Sequence, residues 1–314
     1  KMDTENSSIR TLDVYDGTTI AFGGDDGKLK LVSIKNKQSR IIANLKNEQI
    51  RKVFISNEKD VFVGTLSGKV YQLNTGSNNE NPITIEETTA PIRNIFYDTA
   101  VKSIIVVTDN EIIDTKENER KLTEINISAS YYDGERLFFS DGSKLFFYQS
   151  GIVYPISINK SNVQIQTITA IDKNKNKLFL GTNSGQILIY TTTSSWGKNT
   201  SISYEDKVRS HRTRITKLLY DSKNDFLFSA SLDNQVYKHN LGVKNTESGG
   251  ETFKSLRLIG HEKWVWDLAL VRDRNSEGEA IYKLLTADEN GNLLSWYVNQ
   301  DDLADKVKEL ANGQ

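Results

Sequence analysis

Three histidines, His211, His239 and His261, are the residues of this 314-residue chain best suited to proton transfer near neutral pH. No two of them stand at i, i+4, and the chain contains no cysteine, so the donor set of a zinc site, a thiol nucleophile and a disulfide framework are all missing. The stretch from Gly64 to Val70 resembles a phosphate loop only in composition. It places three residues between its glycines where that loop needs four, and it lacks a hydroxyl after Lys69. Asp172, Asn174 and Asn176 alternate like calcium ligands, but Lys177 stands where the loop turns on glycine and Asn183 where a bidentate Glu is required. The carboxylate pairs Asp25-Asp26 and Asp301-Asp302 are sequence neighbours explained by a turn and a helix start, and the sequon at Asn126 reads as fortuitous. No catalytic residue, cofactor site or metal ligand is therefore assigned. What remains is binding chemistry: Arg10, Arg51 and Arg93 each follow an isoleucine, and Trp196, Trp264 and Trp266 are of the other type that dominates interaction hot spots.

Charge narrows the partners. Forty Lys and Arg against 41 Asp and Glu leave a net charge of −1, without the basic excess that a nucleic-acid or anionic-membrane surface needs. The longest apolar runs, such as Ser103 to Val107, are far below the ~20 residues that span a bilayer. No secretory leader pattern opens the chain. A cytoplasmic protein with protein partners is expected.

The elements that would position these side chains recur. An apolar-start strand, a turn, a second apolar strand, a Gly-rich tight turn and a third alternating strand appear seven times, starting at Ile9, Ile50, Ile92, Ile127, Ile165, Ile215 and Val265. The mean spacing is about 43 residues, within the ~40–45 of four-stranded propeller blades. A looser fourth strand fills each gap, as at Arg40 to Leu45, Ile83 to Ile85, Ile152 to Tyr154 and Leu256 to Ile259. Apolar residues recur with period two, and only Leu303, Val307 and Leu310 make a helical stripe. The expectation is an all-β, seven-bladed β-propeller of four-stranded antiparallel blades, one unit over residues 1–314, with a short helical tail at 300–312. Longer inserts fall at 192–214, which carries Trp196 either as an exposed anchor or packed over an outer strand, and at 240–255.

The residues at the blade ends resemble those of WD-repeat β-propellers. The last copy reads GHEKWVWDLALV (260–271) and GNLLSWYV (291–298), and the sixth offers Ser210-His211 with Ser229 and Asp233. The resemblance implies a buried network of His, Ser or Thr, Asp and Trp in each of these blades. In blade six the members would be His211, Ser229 and Asp233, with His239 in the Trp position. In blade seven they would be His261, Thr286 and Trp296, with Asn290 in the Asp position. The other copies place Val32, Leu73, Thr115, Tyr148 and Tyr190 near the Trp slot. With the trailing DDLADKVKEL (301–310), blade seven is also similar to the C-terminal sensor propellers of bacterial STAND-class signalling ATPases, which implies upstream domains in the same polypeptide.

The residue after each opening apolar position is Arg10, Arg51, Arg93, Ser128, Gln166, Thr216 or Trp266. In a propeller these positions ring the channel mouth, so the arginines would form a basic arc facing Trp264 and Trp266. Either that arc binds a partner or its guanidiniums pair with turn carboxylates of neighbouring blades. Closing the ring leaves blade seven one strand short; residues 1–8, residues upstream of Lys1 or an open seam would account for it. The reading is a non-enzymatic interaction module, with a free-standing scaffold subunit as the alternative. A propeller hydrolase with its site in the channel would lack a cysteine, a free histidine and a convergent carboxylate pair.

Overall fold

The computed structural model describes residues 8–34, 39–56, 60–75, 81–99, 101–116, 119–158, 164–172, 177–192, 196–197, 200–245, 252–274, 278, 280–299 and 303. Its strands fall into seven antiparallel groups in chain order, at 11–44, 50–87, 94–122, 129–158, 165–209, 215–258 and 265–297. These are blades one to seven. In each, the first strand lies innermost and each later one pairs outside its predecessor. Second strands such as Ser103–Val107 and Leu137–Ser140 are buried along their whole length, whereas outer strands such as Ile83–Glu87 are mostly exposed.

The core is divided among the blade interfaces. Seven apolar clusters form, and each joins two consecutive blades, for example Phe62 and Val70 with Ile92, Ile95 and Val106 between blades two and three. The seventh unites Ile9, Leu12, Ile20 and Phe22 of blade one with Val271, Leu285 and Leu293 of blade seven, so the wedge packing runs right round. The innermost strands of blades seven and one are also in contact, which closes the ring.

The isoleucine that opens each copy is the plug of these interfaces. All seven opening residues are at most 2% exposed, a burial worth about 2 kcal/mol each. Several also bond back to the preceding blade: Ile50 N donates to Gly24 O (2.9 Å), Ile92 N to Thr65 O (3.0 Å) and Ile9 N to Asp288 O (3.1 Å). The side chain needs room, and the residue it presses on is small, as at Gly64 and Gly181. A Cβ on Gly64 would stand 2.4 Å from Cγ2 of Ile92.

Three boundaries differ from the sequence reading. Blades one, three and four begin their first strands two residues later than expected, at Thr11, Asn94 and Ala129, because the opening isoleucines there have no ladder partner on the second strand, whereas Ile50, Ile165, Ile215 and Val265 pair with Thr65, Thr182, Ser231 and Asp288. The insert at 192–214 contains the fourth strand of blade five, Ser201–Arg209, and the insert at 240–255 is spanned by two long strands, Val236–Asn245 and Thr252–Leu258. Beyond this, the outer strands of blades four and five pair in parallel (Ser157 with Ser201, Ile158 with Ile202), fusing two blades at the rim. Blade seven has three strands among the described residues. Residues 1–7 and the helical tail at 300–312, apart from Leu303, lie outside them.

Candidate interaction site at the channel mouth

A local irregularity aims the ring residues inward. In blades two, five, six and seven the register shifts by one residue between the opening apolar position and the third residue, at Ile50/Lys52, Ile165/Thr167, Ile215/Lys217 and Val265/Asp267. Arg51, Gln166, Thr216 and Trp266 are the extra residues of these β-bulges, which free a side chain from the pleat and re-aim it. Arg10, Arg93 and Ser128 sit just ahead of their strands, held by amide bonds to Gly23 O, Val107 O and Ser140 O (3.0, 2.8 and 2.7 Å). All seven line one cavity of about 380 Å³ at the mouth of the central channel.

All three arginines of the arc are paired with turn carboxylates. Arg10 binds Asp25 (2.7 Å) and Glu289 (2.9 Å), so it bridges blades one and seven, and Arg51 reaches across to the same Asp25 (2.9 Å). Burial raises the carboxyl pKa of Asp25, but the Arg10 and Arg51 guanidiniums outweigh it and hold the group below the usual range. Arg10 also lies 4.2 Å over the Trp266 ring, whose Nε1–H donates to Glu289 (2.5 Å). Trp264 stands edge-on to Trp266 at 5.9 Å and is 46% exposed. Arg93 pairs with Asp109 of its own blade while its side chain stays half exposed. The rim is thus a braced segment of Arg10, Arg51 and Trp266 in blades seven, one and two, flanked on one side by the exposed Trp264 of blade seven and on the other by the half-exposed Arg93 of blade three.

A second tier lies one residue deeper, where Thr11, Lys52, Asn94, Thr167, Lys217 and Asp267 line the same cavity. Lys217 Nζ binds Asp267 (2.9 Å), which also accepts Leu12 N (3.1 Å). Burial alone would raise the Asp267 pKa, yet the ammoniums of Lys217 and Lys52 pull it below its ordinary value. Asp13, further along the channel, accepts Ile55 N at 2.9 Å and has its pKa raised by burial. Lys52 is shifted down by burial and by Lys217.

Both histidine networks form. In blade six, Asp233 Oδ1 accepts His211 Nδ1–H (3.0 Å), so His211 Nε2 accepts the Ser229 hydroxyl (2.7 Å). Ser229 Oγ in turn accepts His239 Nε2–H (2.9 Å), leaving His239 Nδ1 to accept from Ser255 (2.8 Å). Carboxylate, imidazole and hydroxyl have the separations of a hydrolytic triad. Here, however, Ser229 and His239 are fully buried and the hydroxyl is engaged on both sides, so the array pins the strands together. Burial and the neighbouring His211 lower the His239 pKa to about 3.

In blade seven, His261 binds Asp288 (2.7 Å) and Thr286 (2.6 Å), and Trp296 Nε1–H donates to Thr286 (3.0 Å). The Asp role therefore belongs to Asp288, not Asn290. Asp288 occupies the place of Ser231, whose hydroxyl caps the tight turn in blade six. The longer side chain does that with Oδ1, accepting Asn290 N and Asn292 N, and reaches His261 with Oδ2. The third-strand slot recurs throughout: Val32, Leu73, Tyr148, Tyr190, His239 and Trp296 each pair with a buried aliphatic residue of the second strand. Thr115 matches them by bonding to Ile104.

Trp196 does not belong to the mouth. It packs edge-on against Phe138 (4.8 Å) and Phe147 (5.9 Å) beneath the rim where blades four and five fuse, with Arg136 over its outer face. Conversely, Arg214 lines the cavity without having been singled out from the sequence. It directly precedes Ile215 just as Trp264 precedes Val265, and that equivalence was its available signal.

No protein-family profile and no curated protein matches the sequence. Solved structures do: the WD40 β-propeller domain of Doa1 superimposes with a TM-score of 0.72 at 12% identity over 96% of both chains. A chain of the mitotic checkpoint complex gives 0.69 at 14% identity, covering 95% of this chain and 90% of its own length. At such identities the likeness establishes the fold, which is that of the WD40 β-propellers.

Proposed function

We propose that this propeller is a protein-interaction module that engages a partner through its channel mouth, with Trp264 and Arg93 as primary contacts and Arg10, Arg51 and Trp266 as the braced platform beside them. The observation that carries this reading is the exposed Trp264, held edge-on by Trp266 at the rim of a charged cavity. A large aromatic kept at such a rim has area to bury against a partner and little ordering entropy to lose. The setting we propose is cytoplasmic, as the sensor or scaffold propeller of a larger signalling protein of the STAND ATPase kind; the blade-seven motifs and the tail support that choice over a free-standing scaffold subunit. In the sensor case, ligand binding shifts an equilibrium only as far as it favours one state over the other.

The test is affinity capture with wild-type protein and with Trp264→Ala/Arg93→Ala, followed by mass spectrometry and a melting curve for each bait. Loss of specific partners at an unchanged melting temperature is expected. Unchanged capture would overturn the reading. The intact reading frame separates the two settings, since an ATPase module ahead of Lys1 fits the sensor and a start at Met2 fits the scaffold.

A further inference from the structure

We propose that the channel mouth contains an oxyanion site centred on Arg214, with Arg93 and Gln166 as its other walls, which takes a compact carboxylate or phosphoryl group from an entering ligand. Six cationic side chains line the cavity: Arg10, Arg51, Lys52, Arg93, Arg214 and Lys217. Five of them have a carboxylate acting on them. Asp25 serves Arg10 and Arg51, Asp109 serves Arg93, and Asp267 serves Lys217 and, with Asp13, Lys52. Among the described residues, Arg214 has none, and its Nε is sealed from solvent without a hydrogen-bond partner.

Leaving a buried, charged N–H unmet costs on the order of 1–3 kcal/mol or more, so a fold that keeps one calls for an explanation. Burial pushes the Arg214 pKa down, and the charge that acts on it, the Arg93 guanidinium, pushes it the same way. One oxyanion between the two guanidiniums in the cavity would supply the countercharge that Arg214 lacks among the described residues and offset their repulsion, and a planar fork is the group best shaped for it. The surrounding polar groups leave this opening to the ligand. Ser128 donates to backbone oxygens, Asn94 to Ser130 and Thr216 to Val265 O, while the Gln166 amide keeps its donors. A volume of about 380 Å³ falls within the range of small-molecule pockets and exceeds what a lone inorganic ion requires. The site does not depend on the partner reading, because a free anion and an acidic side chain of a protein present the same chemistry.

The experiment measures thermal stability and calorimetric binding of the chain with sodium pyrophosphate and with a hexaglutamate peptide, against sodium chloride at equal ionic strength. A saturable rise in Tm with either probe is expected, pyrophosphate alone marking a free anion and the peptide alone an acidic protein segment. Arg214→Met should weaken that binding about tenfold or more while melting no lower than wild type in chloride, because it removes an uncompensated charge. Arg214→Lys should retain part of the affinity, and Arg212→Ala, at an exposed neighbour outside the cavity, all of it. Three results would overturn the proposal: no saturable effect of either probe on wild type, equal binding by Arg214→Met, or a lower Tm of Arg214→Met in chloride that Arg214→Lys restores. The wild-type titration decides even if the Met variant does not fold.

Discussion

Acid should weaken this protein through one residue in particular, His239. Its imidazole is fully buried between Ser229 and Ser255, and its folded-state pKa of about 3 lies far below the ordinary 6.5. A depressed histidine pKa contributes stability above pH 6.5, which is lost as the pH falls toward the folded value because the unfolded chain takes up the proton first. At 1.36 kcal/mol per pH unit, the loss between pH 6.5 and pH 4 is about 3 kcal/mol, a large fraction of typical domain stability. The perturbation is His239→Gln, whose amide can still donate to Ser229 but does not titrate. Urea unfolding at intervals from pH 4 to 7.5 should show the variant less stable than wild type at pH 7.5 by about 1–2 kcal/mol, from lost ring packing, and the deficit shrinking or reversing toward pH 4. Carboxylates that titrate in both proteins cancel in the difference. Parallel stability curves, or an NMR titration placing the His239 imidazole between pH 5 and 7, would refute the reasoning.

Three further outcomes are expected. Asp13→Asn should raise Tm at pH 7, because burial raises the Asp13 pKa and the ionised form is a cost that the amide removes; its advantage should vanish below about pH 3.8, where both folded and unfolded carboxyls are protonated. Gly64→Val should destabilise by about 1–3 kcal/mol in chemical denaturation, since even a Cβ there lies 2.4 Å from the Ile92 plug, whereas Gly197→Ala, with nothing within 4 Å, should be near neutral. Asp288→Asn should cost about 2 kcal/mol or more because His261 loses its charged acceptor, while Asn290→Ala, a turn residue outside the network, should cost under about 1 kcal/mol.

The blades were legible because a single physical requirement repeats. Each interface needs a buried plug, so an isoleucine or valine returns about every 43 residues, and the residue after it lands at the channel mouth. The third-strand slot was legible for the same reason, since register carries Val32 and Trp296 to equivalent places. Asp288 was misplaced because counting along the chain matches Asn290 to Asp233, while the hydrogen bond depends on side-chain reach. Trp196 was ambiguous because nothing local reveals that two outer rims fuse above it. The inner charges Asp13, Lys52, Lys217 and Asp267 follow the polar half of a strand alternation, which normally faces water; ring closure turns that face inward. Arg214 stands at the same position as Trp264, but the fact that sets it apart, the lack of a carboxylate, exists only in three dimensions.

The claim that the channel mouth is the working face is tested most directly by photo-crosslinking in cells. A photoreactive amino acid placed at position 263, beside Trp264, should capture a defined protein partner, and the same group at position 102, in the exposed turn at the opposite ends of the strands, should not. Capture of that partner from position 102 and none from position 263 would contradict the account.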